Sequence, residues 1–264
     1  MNKEQAKFLN GFFGKRLIPW VLPLAVILVW QWSASRGVLS SRILPMPTDV
    51  FAAAVDSVKS GALFRHLGIS FQRAVTGFVI GGGIGFALGL INGLIPVADR
   101  LLDTTVQMIR NIPHLAMIPL VILWFGIGEE AKVFLVAIGV LFPVYVNTLH
   151  GIRSVDPGLM EMGKVYGLRS WKLFWHVILP GALPSILVGI RYALGIMWLT
   201  LIVAETIAAD AGIGYMAMNA REFMRTDVVV LCILLYALFG KLADSLARWL
   251  ERRSLKWNPN YRNV

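Results

Sequence analysis

The chain has 264 residues, of which 57% are hydrophobic and only 15% charged, against about 25% charged in soluble domains. Its mean hydropathy is +0.68. A soluble domain could not cover its surface with so few charges, so the sequence reads as an all-α integral membrane protein. The formal net charge of +10 points first to a positive-inside bias and not to nucleic acid. The single cysteine, Cys232, excludes an internal disulfide and a cysteine-based metal cluster.

Residues 1–16 form a basic N-terminal segment, with Lys3, Lys7, Lys15 and Arg16 against Glu4. The apolar run in 17–35 reads as a first span and uncleaved anchor. A basic start and an apolar run also describe a signal peptide, with Ser33-Ala34-Ser35 as a small-x-small site. The length of the run, and Trp30 and Trp32 placed for an interfacial belt, favour the anchor. Residues 36–69 are polar and mixed. Pro45 and Pro47 give an extended arm, and Thr48 or Asp49 is placed to cap a helix through Phe51, Val55 and Val58. This segment is read as an external amphipathic arm without a catalytic grouping.

Residues 70–248 form the transmembrane core. The second span, about 71–95, carries Gly77, Gly81, Gly85, Gly89 and Gly93, one glycine every fourth residue. Such a stripe is a groove along one helix face. It lets another helix approach closely in lipid, or it lines a pathway; packing is the reading preferred here. A short, charge-balanced stretch at 99–110 leads to a third span at about 107–125, containing Pro113 and Pro119. A tight connection at 126–130 leads to a fourth at about 131–150, containing Pro143 and Asn147. Prolines inside spans leave carbonyls unpaired, as expected both beside a pathway and at a static kink.

The stretch 150–184 is the long interrupted and charged segment of the second half. Asp156 and Pro157 make a helix start, an N-cap followed by proline at the first helical position. Leu159, Met162 and Tyr166 follow at helical spacing, and Gly167 supplies the left-handed stop. Ser170 opens a second short helix with Trp171, Phe174, Trp175 and Ile178 on one face, ended by Pro180. Each helix is about ten residues, too short to be stable alone in water. The hairpin therefore docks on something, either a partner protein or lipid headgroups.

The fifth span, about 183–207, contains Arg191 and Glu205. Charges in spans face a bundle interior or snorkel to an interface, in structural or pathway roles. A loop at 208–227 holds Gly212-Ile213-Gly214, and the last span covers about 228–248. The basic tail, 249–264 with Arg248 at its start, has Arg252, Arg253, Lys256 and Arg262 against Glu251. Six spans put both termini and the 150–184 hairpin on one side. Their basic residues, with Arg153, Lys164, Arg169 and Lys172 in the hairpin, make that side cytoplasmic. The first external arm departs from this pattern, since Arg36, Arg42, Lys59 and Arg65 outnumber Asp49 and Asp56.

The hairpin also resembles the signature of permease subunits in binding-protein-dependent ABC importers: Glu-Ala-Ala, three residues, Gly, nine residues, Ile-x-Leu-Pro. Here the positions are Glu161, Met162, Gly163, then Gly167, then Val177, Ile178, Leu179 and Pro180. The two alanines are replaced by Met162 and Gly163, and the isoleucine by Val177. The likeness runs from about residue 20 to 261 and is nearest to permeases of aliphatic sulfonate importers. Taurine, nitrate and thiamine-precursor systems are the runners-up. It implies a type I ABC importer permease fold of about six transmembrane helices with a cytoplasmic coupling helix, in a bacterial inner membrane. It implies a homodimer, an ATP-binding cassette ATPase dimer that holds ATP and magnesium, an external substrate-binding protein, and a small organosulfur anion as cargo. By the same resemblance Met160, Glu161, Met162, Gly163, Val165, Tyr166, Gly167 and Pro180 couple to the ATPase. The candidate translocation path comprises Asn111, His114, Asn147, Arg191, Trp198, Thr200 and Glu205.

The chain has no nucleotide-binding motif, metal helix or cofactor motif of its own. Gly14-Lys15, Gly163-Lys164 and Gly240-Lys241 each lack the Ser or Thr and the earlier glycine of a P-loop. His66, His114, His150 and His176 show no ligand spacing. The reading is a transport subunit and not an enzyme. An ion-coupled secondary transporter is the alternative from another class, with Glu205 as the one deep acidic candidate.

Overall fold

A computed structural model describes residues 3–37, 40 and 43–257, and among these every regular element is helical. In chain order the helices are α1 (Lys3–Ser35), α2 (Pro47–Lys59), α3 (Ala62–Leu94) and α4 (Pro96–Arg110). A 3-10 turn at His114–Met117 precedes α5 (Ile118–Phe125), α6 (Glu129–Arg153), α7 (Pro157–Val165) and α8 (Ser170–Leu173). A π turn at Phe174–Ile178 runs into α9 (Leu179–Ala208), followed by α10 (Ile213–Glu222) and α11 (Thr226–Ser254). The chain divides into two compact units, residues 1–64 with 216–233, and residues 65–215 with 234–264.

Among the described residues four helices are long and apolar enough to cross a membrane: Ala62–Leu94, Glu129–Arg153, the continuous run Ser170–Ile207, and Thr226–Ser254. The pair Pro96–Arg110 and His114–Phe125 adds a fifth if counted as one span, and Trp20–Ser35 is a shorter apolar helix. Six spans are reached by counting both.

In the first unit the end of α1 is pinned to the start of α2. The Trp30 indole N–H donates to the Pro45 carbonyl at 3.0 Å, and the Thr48 N–H donates to the Gln31 side chain at 3.3 Å. Neither Thr48 nor Asp49 caps α2. Pro47 already holds the first helical position, which moves the cap to Met46, and the Asp49 carboxylate reaches back from the third position to the Met46 N–H at 3.3 Å. Within the arm expected over 36–69, α3 already begins at Ala62, after Gly61, whose φ is +73°. Arg42 and residues 258–264 of the tail, Arg262 among them, lie outside the described residues.

In the second unit α6 packs along α9, with Leu135, Val136, Val140, Val144 and Tyr145 buried on the first and Ala193, Met197, Leu201 and Ala204 on the second. Two apolar clusters mark the opposite ends of this pair. One joins Ala131 and Leu135 to Ala204, with Ile118 and Val121 of α5; the other joins Ile152 and Val155 to Ala182 and Ile186. The glycine stripe of α3 lies against α6. A Cβ at Gly77 would come within 2.6 Å of the Val136 side chain, and one at Gly89 within 2.7 Å of Thr148. At Gly81 and Gly85 the obstruction is backbone, the carbonyls of Ala137 and Leu141. Only glycine permits this approach.

Other expectations are corrected. The stretch 107–125 is not one straight span: α4 and the helix beyond it meet at a 79° bend over Asn111–Pro113. Pro113 disfavours helical backbone at Ile112, so the chain turns there. Pro180 does not end the second hairpin helix, which continues through the π turn into α9. A proline ring collides with the carbonyl four residues earlier in a regular helix; the wider turn just before it, closed by Leu179 N–H to Phe174 O, relieves that collision. The same insertion shifts the register, so Ile178 leaves the face of Trp171 and Trp175 and packs on the Ile152–Ile186 cluster. The loop at 208–227 contains helix α10.

Candidate functional site

Two constellations stand out in the second unit, one at each end of the α6–α9 pair. The first is the hairpin. Asp156 caps α7 by accepting the Gly158 N–H at 2.8 Å, and Pro157 follows it. At the other end Gly167 has φ +80°. Leu168 N–H donates to Gly163 O at 3.0 Å and Gly167 N–H to Lys164 O at 2.9 Å, the paired bonds of a Schellman cap. Gly163 is buried, and a Cβ there would come within 2.7 Å of the Leu173 side chain, so α7 folds tightly onto α8. This leaves Leu159, Glu161, Met162, Val165 and Tyr166 pointing outward, Val165 at 86% and Tyr166 at 79% exposure. Met160 turns the other way, onto the cluster of Ile152 and Ile186. Pro180 lies in the first turn of α9. The hairpin thus displays apolar side chains on a short, doubly capped helix, as a docking knob requires.

The second constellation centres on Glu205, 1% exposed. The Ser70 hydroxyl lies 2.8 Å from both carboxylate oxygens, Arg73 Nη1 donates at 2.8 Å, Gly214 N–H at 2.9 Å and the Tyr236 hydroxyl at 3.0 Å. Arg73, 2% exposed, also donates from Nη1 to the Ala211 carbonyl at 2.5 Å and from Nε and Nη2 to both oxygens of Glu129. Lys132 Nζ reaches Glu129 at 3.2 Å. The loop after α9 closes over the carboxylate. Ile213 N–H donates to Ser70 Oγ at 2.8 Å and Gly212 N–H to His66 Nδ1 at 3.1 Å. Gly212, at φ +114°, leaves no room for a Cβ against the Glu205 carboxylate. A buried charge is tolerated only when it is paired and its remaining acceptor positions are filled, and both conditions hold here.

The residues expected along a path separate into groups. His114 Nε2 lies 3.0 Å from Thr200 Oγ1, in space left by Gly139. Trp198 stacks on Phe239 at 5.0 Å and meets Tyr236 edge-on, so it adjoins the Glu205 cluster. Its indole N–H is buried without a hydrogen-bond partner among the described residues. Asn147 donates to the Pro143 carbonyl at 2.8 Å and sits against Gly189 of α9. Arg191 is paired with Asp244 at 2.8 Å, away from the others, and Asn111 is exposed at the α4 bend. Arg73, Ser70, Glu129 and Tyr236 were missed in the sequence; the two close glycines at 212 and 214 were the signal available. Among the described residues no group of three or more His, Cys, Asp or Glu is placed to hold a metal.

A helical membrane bundle with a capped helical hairpin set between two spans has the architecture of an ABC importer permease. Residues 77–256 match the model of the binding-protein-dependent transport system inner membrane component, and the chain belongs to that family. It is 63% identical to SsuC, the aliphatic sulfonates transport permease protein of Escherichia coli (strain K12), over 93% of this chain and 94% of that one. It is 36% identical to the taurine transport system permease protein TauC of the same organism, over 89% of this chain and 88% of that one. The fold matches that of an amino acid ABC transporter with a TM-score of 0.62 at 20% identity, over 75% of this chain and 97% of that one. The chain is therefore a membrane-embedded transport subunit of an ABC importer, and ATP hydrolysis resides in a separate partner.

Proposed function

We propose that this chain is the permease of an aliphatic sulfonate importer. The carrying observation is the identity to SsuC, 63% across nearly the whole of both chains, against 36% to a taurine permease. Two copies form the pathway, an ATPase dimer carrying ATP and magnesium binds the two hairpins, and an external binding protein delivers the anion. ATPase closure draws the hairpins together and alternates access to the pathway. Met160, Glu161, Met162, Gly163, Val165, Tyr166 and Gly167 shape or fill the ATPase contact, Met160 from the buried side. Substrate recognition rests with the binding protein: Arg73 and Arg191 are both committed to carboxylates, so neither is free to clamp a sulfonate tightly.

Growth of a strain deleted for its sulfonate permease, with an alkanesulfonate as sole sulfur source, tests this directly. Expression of this chain with its ATPase and binding protein restores growth on alkanesulfonates; restoration on taurine alone assigns the chain to the runner-up system. Both termini and the hairpin are cytoplasmic in this reading. In a Cys232→Ser background, Arg169→Cys reacts with an impermeant thiol reagent only from inside and Asp210→Cys only from outside. Labelling of both from one side ends this topology.

A further inference from the structure

The second half of the hairpin carries chemistry outside the residues assigned above to the ATPase contact. Trp171, Phe174 and Trp175 form a three-ring cluster, with Trp175 edge-on to Trp171 at 5.6 Å and to Phe174 at 5.4 Å. Together with Ser170 they wall a cleft of about 540 Å³, within the size range of small-ligand sites. The other walls are Phe86, Leu90 and Leu94, from the last turns of α3, and Leu179, the first residue of α9. Both helices are spans, so the cleft lies where spans meet hairpin, at the membrane boundary. Trp171 is 71% exposed, and indole rings favour that boundary because one edge is apolar and the other polar.

Two cations adjoin the cleft's wall residues in sequence. Arg169 and Lys172, flanking Ser170 and Trp171, are exposed, and neither has an ion-pair partner among the described residues. The one carboxylate between residues 157 and 178, Glu161, is on α7. An apolar slot beside two free cations complements an amphiphile with a negative head and a hydrocarbon tail. A polypeptide fits less well. The slot offers almost no polar lining beyond the Ser170 hydroxyl, so inserted main chain would leave its N–H and C=O groups unpaired. A hydrocarbon chain incurs no such loss.

We infer that this cleft binds an acyl chain of an anionic phospholipid, with Arg169 and Lys172 on the headgroup; the leaflet is the inner one, given the cytoplasmic hairpin proposed above. The hairpin then has two faces, α7 for the ATPase and the aromatic half for lipid. The test uses the full-length permease with its ATPase in nanodiscs containing equal phosphatidylglycerol and phosphatidylcholine, and counts lipids retained after extraction by native mass spectrometry. Wild type retains phosphatidylglycerol in preference. The Arg169→Ala, Lys172→Ala double variant lowers that retention about tenfold, each basic residue contributing to anionic attraction, while ATPase stoichiometry is unchanged. Leu94→Trp, which fills the slot from a half-exposed wall, lowers retention of both lipids. Equal retention of the two lipids by wild type overturns the inference. So does loss of the ATPase from the double variant with phosphatidylglycerol retained, which assigns the surface to the ATPase.

Discussion

The Glu205 cluster and the hairpin hold opposite ends of the same helix pair by opposite chemistry. At the Glu205 end, two carboxylates, a guanidinium, an ammonium, two hydroxyls and a closed loop interlock, and the central carboxylate and guanidinium are almost fully buried. At the hairpin end, α7 presents Leu159, Met162, Val165 and Tyr166 outward, and the cap of Gly167 is built from backbone alone. Buried, directional bonds resist displacement because any partial opening strands a charge. Exposed apolar surface gains by being covered. One end is held together within the chain, and the other leaves apolar surface uncovered.

The contrast can be broken at several points, and the largest effect is expected at the seam that supports both ends. Gly85→Leu drives a side chain into the Leu141 backbone of α6. Immunoblotting of membranes should show the permease absent; normal abundance and uptake would mean that α3 moves away from α6 at no cost. Glu205→Ala comes next. It strands Arg73 partly unpaired in a buried site, a loss of about 3–5 kcal/mol. The detergent-solubilised permease should show a markedly lower melting temperature, whereas Glu161→Ala, on exposed α7, leaves it unchanged. Equal melting of the two variants would erase the distinction between the ends.

Gly167→Val acts on function and leaves the fold. A β-branched residue at φ +80° is strained, so the cap should open. The permease should remain in the membrane, retain less ATPase on co-purification, and lose uptake. Normal transport would mean that the hairpin tolerates a different cap, and absence from the membrane would mean that the hairpin is needed for folding. The smallest effect is expected for Arg191→Ala. Its pair with Asp244 is only partly shielded, and such pairs contribute little, so melting temperature and ATPase retention should both stay near wild type.

The two ends were not equally legible in the sequence. The hairpin is local: Asp156-Pro157, Gly167 and the aromatic spacing lie within one short stretch, and capping chemistry acts between near neighbours. Glu205 was visible as a charge in a span, but its partner Arg73 stands 132 positions away, and no periodicity links two such residues. The bend at Asn111–Pro113 and the passage of the helix through Pro180 were hidden for another reason. Proline marks a place where the helix is strained, and the surrounding packing decides whether the chain turns or widens. The register shift that separates Ile178 from Trp175 follows from that choice.

The unbroken helix from Ser170 to Ile207 has a mechanical consequence. Its 38 residues make a rod of about 57 Å, with the hairpin's second half at one tip and Glu205 near the other. A displacement of the hairpin tip is therefore tied to the Glu205 end through one continuous helix. The π turn at Phe174–Ile178 and Pro184 both interrupt its regular hydrogen-bond ladder, and both lie in the hairpin half of the rod.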